Sequence, residues 1–458
     1  MKKKLLLINC LDLNVYPEKE NYNQLPIITA YEPIHLGIIA ALTPDDWDIE
    51  LLDENFEQFN YIPADLVAIS SYTTSINRAY YISTLYREKN IPVVLGGIHA
   101  TFFPEEAMQY VQTVAVGKAE GLWLEIISDF NDGNLKPVYY SNENTRLCFT
   151  PDRNIYKKYK YPIATIIASM GCPHRCSFCD IPVTNKEYYL RDVDEIIEDL
   201  KRVHQDFFIF NDDNFIGSTD AHKARVAELL KKIIANGIRK KWMCVTSINI
   251  SAYENILDLA KKAGCVMMFI GIESFKKDEL SVYNKGFIKN FSDNHFSKAF
   301  DAIHKHKIAI TGGFFCGIDG DTLEDIESKK NDIIKSKVDS FTYTFYTPLP
   351  KTKIYNELEK HDRLLYTCYP QDWIYHNLSC VIFKPQTDTH DAYFMSYMKA
   401  AIDLHSYRVF FKKFLHLIFR VRSIRRTIDA FFILKNFHNN IDRYRFFRVL
   451  YKHIKYNY

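Results

Sequence analysis

The segment Ser169-Met170-Gly171-Cys172-Pro173-His174-Arg175-Cys176-Ser177-Phe178-Cys179-Asp180 sets three thiols at Cys-x3-Cys-x2-Cys spacing. Three thiolates on one loop can hold three corners of a [4Fe–4S] cluster and leave the fourth iron open to substrate. A structural zinc wants four ligands, and a fourth such as His174 sits inside the loop itself. Gly171 and Pro173 mark the segment as a loop, where a thiol has little core to enter. The iron–sulfur reading is the stronger, with zinc as the alternative.

Outward from this loop the chain reads as a repeating array. It directly follows the apolar run Ile163–Ala168, and further strand patterns come at Phe207–Phe210, Trp242–Thr246, Val266–Ile270, Ile308–Phe314 and Phe341–Phe345. Helical patterns separate them, among them Val193–Val203, Ala221–Ala235, Ala252–Ala263 and Leu323–Ile334. Six β/α units are too few for a full eight-stranded barrel, so a partial barrel is expected, with functional residues at the C-terminal ends of its strands.

Before the loop, short β-rich runs at Leu5–Asn9, Asp48–Leu52, Leu66–Ser70, Pro92–Leu95 and Thr113–Val116 alternate with helical pattern. That alternation predicts a parallel, Rossmann-like sheet covered on both faces. Polar residues from Asn131 to Asn144 then break the pattern. The expected division is 1–135 for the first α/β domain, 136–160 for a linker, 161–375 for the barrel and 376–458 for a mainly helical region.

The composition fits a folded protein: 458 residues, 47 % hydrophobic, 25 % charged and a net charge of +2. Ten cysteines, scattered apart from these three, argue against a disulfide framework. No apolar run approaches membrane-spanning length and the N-terminus is too short for a signal peptide, so a cytoplasmic protein is expected. Residues 401–458 differ from the rest, with thirteen Lys or Arg against three Asp or Glu and fourteen Phe or Tyr. Phe410, Phe414, Leu417, Val421, Ile424 and Ile428 repeat at helical spacing, with Lys412, Lys413, Arg420, Arg422, Arg425 and Arg426 largely off that face. The helix is expected to dock on the barrel or to rest on an anionic membrane. No nucleic-acid module accompanies the basic residues.

Cys172, Cys176 and Cys179, with Phe178 before the last, resemble the motif of the radical S-adenosylmethionine (SAM) superfamily, whose partial barrel fits the six-unit array. The resemblance implies a [4Fe–4S] cluster on these cysteines, SAM chelated at the open iron, and reductive cleavage to a 5′-deoxyadenosyl radical. It also implies a flavodoxin- or ferredoxin-type electron donor. Asp212, Asp213 and Asn214 resemble the segment that approaches the methionine moiety of SAM. Glu273 and Ser274 stand where ribose hydroxyls would be bonded, and Gly313 and Gly317 belong to a glycine-bearing strand like that beside the adenine.

The first domain resembles the cobalamin-binding domain of cobalamin-dependent radical SAM enzymes. Ser70, Ser71, Tyr72 and Thr73 follow its third strand, Gly96 and Gly97 its fourth, and Gly117 its fifth, where corrin and nucleotide tail would lie. The Asp-x-His-x-x-Gly segment that supplies a cobalt ligand in methionine-synthase-like proteins is missing after the first strand, and His35 is a weak substitute. The implied reaction is methylation of an unactivated carbon in a small molecule or lipid. Cobalamin-independent radical chemistry and a non-catalytic iron–sulfur or zinc scaffold at a membrane are the alternatives.

Overall fold

A computed structural model of the chain describes residues 2–11, 31–141, 150–185, 187–285, 295–421 and 428. It divides into two compact units, 1–161 with 366–377 and 162–365 with 378–458.

Unit 1 runs β1 (Lys3–Asn9), α1 (Ile34–Leu42), β2 (Trp47–Asp53), β3 (Leu66–Ser70), α2 (Ile76–Arg87), β4 (Val93–Gly96), α3 (Ile98–Phe102), α4 (Pro104–Ala107), β5 (Thr113–Val116), α5 (Trp123–Asn131) and β6 (Val138–Tyr140). All six strands are parallel, in the order β2-β1-β3-β4-β5-β6. The sheet is apolar on both faces. Leu6, Ile8, Val67, Ile69 and Leu95 enter one core, and Leu5, Leu7, Leu66, Ala68 and Val94 the other. That is why the strands read as continuous hydrophobic runs. The order reverses around β1, which opens a crevice at the carboxyl ends of β1 and β3.

Two features depart from the expected division. The stretch read as a linker contributes β6 to the sheet edge, and Tyr156, Tyr159 and Tyr161 are buried in the second core of unit 1. Tyr159 Oη donates to Leu51 O at 3.0 Å, which ties the stretch down. Three strand residues among polar neighbours are too few to show a period. Residues 142–149 of that stretch lie outside the described residues. Residues 366–377, assigned mostly to the barrel, cluster instead with unit 1.

Unit 2 continues with β7 (Ile163–Ile166), β8 (Ser169–Met170), α6 (Ile181–Thr184), β9 (Tyr189–Leu190), α7 (Val193–Arg202), β10 (Phe207–Phe210), α8 (Asp220–Ala235), β11 (Lys241–Thr246) and α9 (Glu254–Lys262). It is completed by β12 (Cys265–Glu273), α10 (Lys277–Val282), α11 (His295–Lys305), β13 (Ala309–Cys316), α12 (Leu323–Lys335), β14 (Ser340–Phe345), α13 (Lys353–Lys360), α14 (His390–Leu404) and α15 (Tyr407–Val421). The parallel sheet β14-β13-β12-β11-β10-β7 is the expected six-stranded partial barrel.

Side chains alternate across its strands. Trp242, Cys244, Met268, Ile270, Ile310, Phe314 and Tyr343 pack in the unit's hydrophobic core. Phe269, Gly271, Gly313, Phe315, Thr342 and Thr344 project from the other face and are only half-buried. The inner face of the barrel is therefore accessible near the C-terminal ends of its strands.

Candidate functional site

The cysteine loop leaves β8, a two-residue strand paired antiparallel with β9. Its fixed points come from the end of β10. Asp213 accepts from Gly171 N–H at 2.7 Å, and Asn214 Nδ2 lies 3.9 Å from Cys172 Sγ. Gly171 has φ +89°, and a Cβ there would stand 2.2 Å from Glu187 O, so only glycine fits this bend. Asp212, 2 % exposed, accepts from Ala168 N–H at 2.8 Å and from Ser169 Oγ at 2.6 Å. Burial raises its carboxyl to about 6 although those donors oppose the shift. Of the three residues expected to meet SAM, Asp212 and Asp213 thus brace the loop. Among the described residues the buried Asn214 Oδ1 has no hydrogen-bond partner, a polar atom left over beside Cys172.

The loop has a second support that the motif gave no sign of. Ser177 N–H donates to Tyr283 O at 3.1 Å, Ser177 Oγ to Val282 O at 3.3 Å, and Asn284 Nδ2 to Arg175 O at 3.0 Å. Phe178 packs edge-on against Tyr283 at 5.5 Å and Phe315 at 4.9 Å between ring centres. The Tyr283 and Tyr346 hydroxyls in this aromatic cluster are buried and find no hydrogen-bond partner among the described residues.

Lys285 follows directly. Its ammonium bonds Glu273 and donates to Gly271 O at 3.0 Å. Burial pulls its pKa down to about 8, while Cys176, Cys172 and Cys179 pull it back up, which places a cation beside the three thiols. Burial raises all three thiols, Cys179 to about 12, and Lys285 works against that rise at Cys172 and Cys176. A thiol must lose its proton to ligate metal, so a neighbouring cation favours the ligating form. Among the described residues no three Cys, His, Asp or Glu side chains converge as one metal ion would require. A four-iron cube makes a different demand, one thiolate per iron. Clustered but unconverged thiols, a nearby cation and an orphaned amide oxygen fit such a group.

The other expected SAM contacts differ in kind. Glu273, at φ 59°, has its carboxylate on Lys285, and Ser274 Oγ accepts from Lys276 N–H at 3.0 Å. Gly313 lies on the half-buried inner face. Gly317, at φ +75°, sits at a turn where Asp321 accepts from its N–H at 3.0 Å, and a Cβ would meet the Phe345 ring at 2.2 Å. Its left-handed backbone and the Phe345 ring both require glycine at 317.

In unit 1 the hydroxyl and glycine loops lie side by side at the carboxyl ends of β3, β4 and β5. Gly97 has φ +97°, and a Cβ there would fall 2.5 Å from Ser71 O. A Cβ on Gly117 would fall 2.1 Å from Ser141 Oγ, whereas Gly96 has ordinary room. Ser71 Oγ lies 3.0 Å from Ser75 Oγ, and Thr73 Oγ1 lies 3.2 Å from His99 Nδ1. Ser70 is half-buried and Tyr72 is 63 % exposed. His35 is half-buried in the first turn of α1, with its pKa lowered to about 4 by burial.

Comparisons with known proteins follow this division. The radical SAM superfamily profile matches residues 166–333 and the B12 binding domain profile residues 29–126. Bacteriochlorophyllide d C-12(1)-methyltransferase of Chlorobaculum tepidum is 30 % identical over 373 residues, 77 % of this chain and 78 % of that protein. This chain belongs to the B12-binding-domain group of the radical SAM superfamily. It is an enzyme, and the family's cofactors, a [4Fe–4S] cluster, SAM and cobalamin, are those anticipated from the sequence. Hopanoid C-2 methylase of Rhodopseudomonas palustris is 26 % identical over 76 % of this chain and 68 % of its own length. Among solved structures, the cobalamin-dependent SAM radical enzyme OxsB with aqua-cobalamin bound superposes with a TM-score of 0.64 at 13 % identity, covering 100 % of this chain and 81 % of that one. The radical SAM methyltransferase TsrM of Kitasatospora setae, with cobalamin and [4Fe–4S] cluster bound, gives 0.59 at 17 % identity over 79 % and 75 %. At these identities the two structures show a shared fold.

Proposed function

We propose that the enzyme methylates an unactivated carbon of an apolar small molecule or lipid. One observation carries the reading furthest: the three-thiol loop is clamped by Asp213 and Asn214 from one side and by Tyr283 and Asn284 from the other, beside the open inner face of the barrel. Bound there, cluster and SAM would supply a 5′-deoxyadenosyl radical, and cobalamin in unit 1 a transferable methyl group. Cys172, Cys176 and Cys179 would hold the cluster, with Lys285 favouring the ionised form of Cys172 and Cys176. Asn214 Oδ1, with no partner among the described residues, would accept from the SAM ammonium. Phe178, Phe315, Tyr283 and Tyr346 exclude water around the reacting centre and offer it an apolar wall. Relatives named for methylating bacteriochlorophyllide d and a hopanoid support an apolar substrate.

The test is anaerobic reconstitution with iron, sulfide and hydroxocobalamin, followed by reduction with SAM carrying a deuterated methyl group. Extracted metabolites and lipids should gain that label along with release of 5′-deoxyadenosine, and Cys172→Ala should abolish both. Release of 5′-deoxyadenosine without label in any product would overturn methylation while leaving radical initiation standing.

A further inference from the structure

The apolar face that the spacing picks out on the C-terminal helix is only partly the face that docks. Val409, Lys413, Leu417 and Val421 are buried, Phe410 and Phe414 are half-buried, and Ile428 is 62 % exposed. Ile424, Arg422, Arg425 and Arg426 lie outside the described residues. Lys413, expected off the docking face, is 4 % exposed, and its ammonium donates to Ile333 O at 2.7 Å, Ser336 O at 3.0 Å and Val338 O at 3.1 Å. These carbonyls lie at and just beyond the C-terminal end of α12, where a cation is favoured. Arg420 adds a bond to Lys337 O. The bonds of Lys413 and Arg420 therefore fix how α15 is rotated about its axis.

That rotation turns a second apolar stripe outward. Phe411, Leu415 and Phe419 stand at four-residue steps and are 58 %, 51 % and 71 % exposed. At about 100° per residue they lie on the side of the helix opposite Leu417 and Lys413. Arg408 and Lys412 are exposed along the same side, and neither pairs with a carboxylate among the described residues. Nine Lys or Arg against two Asp follow in residues 422–458.

We propose that this outward face of α15 seats on an anionic lipid surface, Phe411, Leu415 and Phe419 entering the acyl boundary and Arg408 and Lys412 meeting the headgroups. Charge selects this occupant. A second copy would bring the same cations into opposition, whereas anionic headgroups complement them. The contact is peripheral, since among the described residues no helix is long and apolar enough to cross a membrane. It stands apart from the methyl-transfer reading, because none of its residues belongs to the site described above.

Flotation of the full chain with vesicles of phosphatidylcholine alone or with phosphatidylglycerol tests it. Binding is expected to the anionic vesicles only and to weaken with salt. The triple variant F411S/L415S/F419S should lower the partition coefficient by about tenfold or more, and R408E/K412E should shift binding to lower salt. Both variants replace exposed residues, so an unchanged circular dichroism spectrum should accompany the loss. No binding of the full chain to anionic vesicles would overturn the proposal, and so would full binding by the triple variant. Loss of binding on deleting residues 422–458, with the triple variant still bound, would assign the contact to that segment instead. A wild-type dimer that becomes a monomer in the triple variant, without lipid binding by either, would assign the face to a second copy.

Discussion

At the scale of single residues, the cysteine loop illustrates how much a motif leaves unsaid. Its spacing announces three clustered thiols, but the groups that hold and polarise them arrive from distant positions. Asp213 is 42 residues from Gly171, and Asn284 is 109 residues from Arg175. Asp213→Ala removes a charge-assisted bond and should cost about 1–3 kcal/mol of loop stability, read as lower iron content after reconstitution with little change in circular dichroism. Lys285→Met leaves the buried Glu273 carboxylate without its cation, a loss of about 3–5 kcal/mol for a buried pair. The double variant Lys285→Met/Glu273→Gln should recover most of the melting temperature yet still load iron poorly, because the thiols lose the cation beside them. Full iron loading in the double variant would refute that role for Lys285. In unit 1, Gly97→Ala should destabilise by about 1–3 kcal/mol through left-handed strain alone, with a further steric cost at Ser71, and should weaken cobalamin binding measured by its visible spectrum.

At the scale of elements, the strap of residues 366–377 behaves unlike a connection. Its Trp373, 1 % exposed, donates from Nε1 to Glu106 at 3.0 Å and packs on His99 and Phe103. Glu106 also accepts from Tyr80 at 2.8 Å and lies 3.2 Å from His99 Nε2. His376, on the same strap, is 2 % exposed and its pKa is pushed down to about 3, by burial first and by His99 second. His99 is lowered by burial, and the carboxyl of Glu106 is lowered because its hydrogen-bond donors outweigh its burial. A histidine kept neutral when docked and protonated when released binds more protons in the released state. Docking is therefore fully favourable above about pH 6.5 and weakens progressively from there toward pH 3. Glu106 has the same sign at the acid end, since a depressed carboxyl loses its stabilising contribution as it is protonated. Trp373 fluorescence should shift as the strap releases on acidification, and His376→Phe should move the midpoint to lower pH. An unchanged midpoint would show that His376 does not drive release. Neither Trp373 nor His376 stands out in the sequence, because a lone aromatic in an irregular stretch has no period to betray its burial.

At the scale of the whole molecule, the two compact units are not two continuous lengths of chain, since unit 1 reclaims residues 366–377 after the barrel's last strand. A group that binds one folded unit should stabilise that unit alone. Hydroxocobalamin at about 100 times its dissociation constant should raise the unfolding free energy of unit 1 by about 2.7 kcal/mol, equally in wild type and in a Cys172/Cys176/Cys179→Ala variant. Loss of that shift in the triple-cysteine variant would mean that the two units do not bind their cofactors independently. Residue-specific hydrogen exchange separates the transitions.

The sequence by itself determined the parts whose information is local and periodic. Strand–helix alternation specified two parallel sheets, and the cysteine spacing specified a three-thiol loop after the first barrel strand, because each signal is contained within a dozen residues. Only the tertiary structure decided that Lys285 neighbours the thiols, that Trp373 caps Glu106 from 267 positions away, and that Lys413 is buried while Phe419 faces outward. Those outcomes depend on which carbonyls, carboxylates and thiols the fold brings within a few ångströms, and a buried charge is stable only where such partners converge.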